Sequence, residues 1–146
     1  MNMPIELTVE ECLDLLGTNI VGRVALATPV GPRILPVNYA MYGDAIVIRT
    51  APYSELGTYG WNTELAFEID HLDYERHLGW SVVAYGRGEL VEDPDEVAEI
   101  KRLWDPRPWA GGQRNLYMKL VWRNLTGRRL GSAWEPTTAA PVRRTV

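Results

Sequence analysis

Apolar and polar side chains alternate through most of the chain between residues 20 and 91. The pattern is clearest at residues 64–70 (ELAFEID), where Leu65, Phe67 and Ile69 alternate with Glu64, Ala66, Glu68 and Asp70. That period of two predicts a half-buried strand. Residues 34–41 and 45–50 are β-branched runs joined at Tyr42-Gly43-Asp44. Gly beside Asp between such runs predicts a hairpin, because both residues tolerate the positive φ of a tight turn. Residues 20–28 and 80–91 read as further strands, with Gly22 and Ala25 small enough for close backbone approach and Gly86 and Gly88 marking a bend or bulge. Pro29-Val30-Gly31-Pro32 is a turn, residues 71–79 a polar connection, and residues 116–125 with the GRRL segment a last strand or strand pair.

The period changes in two places. Thr8-x-x-Glu11 is a capping box that opens a short helix, with Val9, Leu13 and Leu16 on one face, Cys12 adjacent as a core thiol, and Gly17 at the end. Asp93-Pro94-Asp95-Glu96 combines an acidic cap, proline at the first helical position and a glutamate three residues after the cap. Val97, Ile100 and Trp104 follow at helical spacing, Asp105-Pro106-Arg107-Pro108 ends the helix, and Trp109-Ala110-Gly111-Gly112 is a loop. Residues 132–146 have no periodicity and are expected to form a flexible tail behind a single domain at 1–131. Six or so consecutive, antiparallel strands with short helices predict a mainly β protein, a small closed barrel with Greek-key connections.

Composition narrows the partners. Fifteen basic residues against nineteen acidic ones, with no basic stripe interleaved with aromatics, argue against nucleic acid. No apolar run reaches membrane-spanning length and the N-terminus lacks a basic-then-apolar signal, so the expected location is the cytoplasm, without membrane attachment. A single cysteine leaves neither a disulfide framework nor a Cys-based zinc site. Six Trp and seven Tyr against one Phe favour surfaces with one buried and one polar edge, as at interfaces and ligand clefts.

One stretch carries candidate chemistry. In residues 45–50 alternation sends Ala45, Val47 and Arg49 one way and Ile46, Ile48 and Thr50 the other. Pro52 stops the strand and Ser54 is placed to cap a helical turn. A guanidinium, two hydroxyls and free N–H groups converging on one volume suit a phosphate, although Arg-Thr before a Ser-capped turn is also common surface architecture. His71, Asp73, Glu75 and His77 crowd into the polar connection, but no rigid element aligns them, so no metal is assigned. Gly127-Arg128-Arg129 reads as a solvated edge. No catalytic residue is singled out.

The ordered segments EECLDLL, GRVAL, RILPVNYAMYGDAIVIRT, AFEID, GWSVVAYGRGELV, PWAGG and TGRRL resemble the pyridoxamine 5′-phosphate oxidase-like, FMN-binding split-barrel family, nearest to its nitroimidazole-reductase-like branch. The resemblance covers the chain to about Leu130. It implies a six-stranded split barrel and a homodimer with two flavin sites at the subunit interface. Pro36, Val37 and Asn38 would lie along the isoalloxazine edge, while Arg49, Thr50 and Ser54 hold the phosphate. Trp80 and Ser81 would contact the flavin from the long strand. The implied activity is FMN-dependent hydride transfer to a small organic substrate. Where the family carries a phosphate-binding lysine this chain has Glu55. That departure keeps two alternatives open: a non-catalytic dimeric binding protein that has lost FMN, and a deazaflavin-dependent reductase.

Overall fold

Ten elements follow one another in the structure, a computed structural model describing residues 3–104 and 115–131. They are β1 (Ile5–Glu6), α1 (Val9–Leu16), β2 (Val21–Thr28), β3 (Gly31–Tyr42), β4 (Ala45–Thr50), α2 (Glu55–Tyr59), β5 (Glu64–Asp73), β6 (Leu78–Leu90), α3 (Pro94–Trp104) and β7 (Leu116–Leu130). The strand order is β1-β7-β4-β3-β2-β5-β6, and β6 also pairs with β7. Strands β2 to β7 therefore close on themselves as an antiparallel six-stranded barrel. The seventh strand, β1, adds only the pairs Ile5↔Arg129 and Glu6↔Arg128 to the end of β7. Two residues are too short to carry a period, which is why the sequence pattern misses it.

The barrel interior is the inward half of each alternating strand. Val24, Tyr39, Ile48, Phe67, Val82 and Leu120 belong to one buried cluster, joined by Cys12, Leu15 and Leu16 from α1. The Tyr39 and Phe67 rings meet edge to face, with centroids 4.8 Å apart. Gly22 is small because the Phe67 ring lies over it: a Cβ there would sit 2.3 Å from the ring. Helix α1 closes one side of this core, capped as predicted, with Glu11 N donating to Thr8 Oγ1 and Thr8 N donating to Glu11 Oε1, both at 3.1 Å. The Thr8 backbone N–H and, next, its hydroxyl hold the Glu11 carboxyl below its ordinary pKa. Burial pushes the Cys12 thiol up, consistent with a packed, unreactive cysteine.

A second, smaller cluster lies outside the barrel, where Ile100 of α3 packs on Val47, Val91 and Tyr117. β4 is thus covered on both faces and reads as an almost unbroken apolar run. The β3–β4 turn has Gly43 at φ 58°, as the hairpin signal requires.

Three boundaries differ from the sequence reading. The polar connection at residues 71–79 is mostly strand: β5 and β6 pair out to Asp73↔Leu78. Asp73 Oδ1 accepts from Glu75 N and Arg76 N at 3.1 and 3.0 Å, closing a tight turn. Polar side chains on an exposed hairpin end do not prevent backbone pairing. β3 begins at Gly31 and runs through Pro32 and Pro36. The last segment is one 15-residue strand, with a register shift opposite Tyr85/Gly86 where a bulge is predicted. The loop expected at 105–112 and the tail expected at 132–146 lie outside the described residues. No helix among the described residues is long and apolar enough to cross a membrane.

Candidate functional site

The long strand β3 changes partner halfway. Its first part pairs with β2, from Thr28↔Gly31 to Val21↔Asn38, and its last part pairs with β4, from Tyr42↔Ala45 to Tyr39↔Ile48. The β3–β4 ladder ends there. Continued by one step it would set Asn38 against Arg49, and by two Val37 against Thr50. Instead β4 carries on along β7, with Arg49↔Tyr117 and Thr50↔Leu116. The two strands part at this point and split the barrel wall. Pro32 and Pro36 are tolerated because their stretch of β3 has a strand on one side only.

Pro36, Val37, Asn38, Arg49, Thr50 and Ser54 therefore all bracket the place where the hairpin opens. Alternation divides them between two faces. Tyr39 belongs to the barrel core and Val47 to the outer cluster under α3, so Asn38 and Arg49 share the outer face. Val37 packs toward the core and Pro36 is exposed. Arg49 lies over the Tyr117 ring, its guanidinium carbon 5.2 Å from the centroid.

On the opposite face Thr50 and Ser54 meet, their hydroxyl oxygens 2.7 Å apart. Ser54 donates to Ala51 O at 2.7 Å and accepts from Gly57 N at 3.0 Å, capping α2. A hydroxyl has one proton, so with Ser54's given to Ala51, Thr50 is the donor of the pair. Both protons are committed to the turn. Thr50 and Ser54 thus serve the turn that starts α2, while the Arg49 guanidinium lies on the other face of β4 against Tyr117. Glu55, the departure from the family's lysine, faces Arg33 across the cleft, with Oε2 3.2 Å from Nε and both side chains nearly half exposed.

Trp80 and Ser81 sit elsewhere. They pair with Arg129 and Arg128, near the end of β7, whereas Arg49 pairs near its start. Around the barrel the other way they are near the β3 edge of the seam: Ser81 pairs with Asp70, Asp70 is bridged to Arg23 at 2.8 Å, and Arg23 pairs with Pro36. Trp80 is only 2 % exposed and belongs to the core, and its ring stacks on His71 at 6.3 Å. Its indole N–H is buried without an acceptor among the described residues. Ser81, one residue on, points outward. Of the residues once grouped as a metal candidate, His71 is in strand β5 against Trp80, while Asp73 holds the turn. Sequence reading missed Arg33 and Lys101, the latter 5.6 Å from the Tyr117 centroid. Neither stands in a recognisable motif; each reaches the cleft region through long-range packing.

Comparison with known proteins agrees with this architecture. The family model described as pyridoxamine 5′-phosphate oxidase matches residues 8–129. The chain is 30% identical over 131 residues to the uncharacterized protein Rv0080 of Mycobacterium tuberculosis, covering 86% of this chain and 85% of that one. A structure of an FAD binding protein from Mycobacterium smegmatis superposes with a TM-score of 0.72 at 28% identity, covering 86% of this chain and 97% of the other. A candidate pyridoxamine 5′-phosphate oxidase from Corynebacterium glutamicum superposes with a TM-score of 0.75 at 31% identity, over 87% and 98% of the two chains. With the match running from the α1 cap to the end of the barrel, this chain belongs to the pyridoxamine 5′-phosphate oxidase-like split-barrel family.

Proposed function

We propose that this chain is an FMN-dependent oxidoreductase, working as a cytoplasmic homodimer on a small organic substrate. The observation that carries the reading is the parting of β3 and β4, which leaves Asn38 and Arg49 on the same face at the two edges of an open seam in the barrel wall. Donor chemistry at the seam fits a flavin phosphate, since Arg49 offers a planar fork suited to phosphate. The name of the M. smegmatis relative, an FAD binding protein, supports a flavin. Glu55 does not exclude one, because Arg33 already partners its carboxylate.

When bound, a flavin would supply the hydride chemistry, and the protein's part is binding, orientation and exclusion of water. Asn38 and the neighbouring β3 backbone would line the ring system, and Arg49 would hold the phosphate end. Ser81 stands on the Pro36–Asn38 side of the barrel, reached across β5 and β2 through Asp70 and Arg23, and a second copy would complete the site at the subunit interface. Two further features favour that copy. The outer face of β2 and β3 carries an exposed apolar surface, with Ile34 70% exposed. Beside it a hollow of about 440 Å³ is lined by small residues such as Ala25, Ala27 and Ala66. Such faces mark association surfaces.

Titrating FMN into the purified protein while recording the visible spectrum tests the reading, followed by anaerobic addition of reduced nicotinamide. Saturable perturbation of the flavin bands and their bleaching are expected. No perturbation would leave a binding protein that has lost FMN, and a response to deazaflavin alone would move the chain to that reductase class.

A further inference from the structure

From Gly31 to Val37, strand β3 is laddered to β2 alone, and this stretch contains Pro32 and Pro36. The hydrogen-bonding register shows which way each backbone group points. Tyr39 N donates to Ile20 O at 3.0 Å, in register with the β2–β3 ladder. In an antiparallel pair every second residue exchanges bonds with the partner, and the residues between turn their backbone groups away. Val37, Leu35 and Arg33 therefore face β2, opposite Gly22, Val24 and Leu26. Pro36, Ile34 and Pro32 face the seam.

Both prolines thus fall on seam-facing positions. A proline keeps its carbonyl but has no N–H. The seam side of this stretch is left with the carbonyls of Pro32, Ile34 and Pro36 and a single N–H, that of Ile34. Strand β2 supplies the contrast. Its Arg23 and Ala25 face away from β3, neither is proline, and both pair with β5.

The missing donors matter at two places. Continued past Tyr39↔Ile48, the β3–β4 register would bring Pro36 opposite Ala51. Pro36 has no N–H to give, and the Ala51 carbonyl accepts instead from Ser54 N at 3.1 Å and Ser54 Oγ at 2.7 Å. Nearer the start of β3 the edge carries Ile34, 70% exposed. An unpaired strand edge with apolar side chains is a template for a strand of another chain. Pro32 and Pro36 withhold two of the N–H groups that such a strand would bond.

We propose that Pro32 and Pro36 hold the seam open. By removing its N–H groups they bar a strand, whether a continuation of β4 or one from a second copy of this chain, from zipping onto the free edge of β3. The inference concerns the edge itself and stands apart from the flavin reading.

Amide hydrogen exchange of the full chain, followed residue by residue by NMR, tests this, because exchange reports which backbone bonds are protected. In wild type the Ile34 amide should exchange at least about tenfold faster than that of Leu35, its neighbour bonded to β2. In the Pro32→Ala/Pro36→Ala double variant the Ile34 amide should slow about tenfold relative to wild type, and the new amides at positions 32 and 36 should be protected with it. Light scattering identifies the strand that pairs. A mass above that of wild type that grows with concentration means a second copy, an unchanged mass means β4, and either supports the inference. Pro32→Ala alone, at the exposed start of β3, should slow Ile34 in the same direction and decides the matter if the double variant does not fold. Ile34 exchange in wild type as slow as that of Leu35 would overturn the inference, because the edge would already be covered. So would a folded variant, with a cooperative melting transition, whose Ile34 exchange and mass match those of wild type.

Discussion

Arg49→Ala should lower FMN affinity by about 1.5–3 kcal/mol, between roughly tenfold and a hundredfold, the range for losing a hydrogen bond to a charged group. Arg49 stands on the outer face where β4 parts from β3, paired with Tyr117 and lying over its ring. Its planar fork can bind two phosphate oxygens at once, which a lysine cannot do. Riboflavin affinity should change little. Ligand-free stability should fall by no more than about 0.5–1 kcal/mol, from the lost cation–π contact. Calorimetric titration of both flavins into the variant checks this. An FMN dissociation constant equal to that of wild type would remove Arg49 from the site.

Glu55→Lys should act in the opposite direction and strengthen FMN binding at least tenfold, about 1.4 kcal/mol. A carboxylate about 6 Å from a phosphate opposes it by roughly 3 kcal/mol per charge pair at an effective dielectric near 20. Arg33, 3.2 Å from Glu55, already cancels part of that repulsion. The substitution removes the remaining repulsion, adds an attraction and releases Arg33 toward the cleft. Its cost is the exposed ion pair, worth about 0–1 kcal/mol, and a favourable carboxylate at the start of α2, worth about 0.3–1 kcal/mol. A modest drop in ligand-free melting temperature should therefore accompany the tighter binding. Because the pair is nearly half exposed, the gain should shrink as salt rises. FMN titrations at two ionic strengths decide the matter. Equal affinities would place the phosphate away from Glu55.

Local signals made much of the fold legible. The Thr8/Glu11 capping box, the Asp93-Pro94 helix start, the Gly43 turn and the alternation around Phe67 each depend on residues close in sequence, and each forms as expected. What the sequence did not reveal depends on contacts between distant segments. Polarity at His71 and Asp73 suggested a loop, yet their backbones pair across the β5–β6 hairpin. Pro32 reads as part of a turn, and only the one-sided pairing of β3 explains how the strand runs through it. The residues bracketing the seam were named from the sequence. Their division between two faces was partly visible, since Arg49 and Thr50 are neighbours on a strand. The commitment of both hydroxyl protons was not visible, because it requires the geometry of the turn itself. Arg33 and Lys101 enter through the packing of β3 on α2 and of α3 on β7, and no spacing rule announces either.

The proposed flavin sites need two copies of this chain meeting at one interface. Native mass spectrometry of the full chain, with FMN present in slight excess, measures both halves of that claim together. The account predicts a species containing two 16.5 kDa chains and two FMN molecules, with little flavin on any monomer. A monomer at micromolar concentration, or a dimer that carries no flavin under the same conditions, would contradict it.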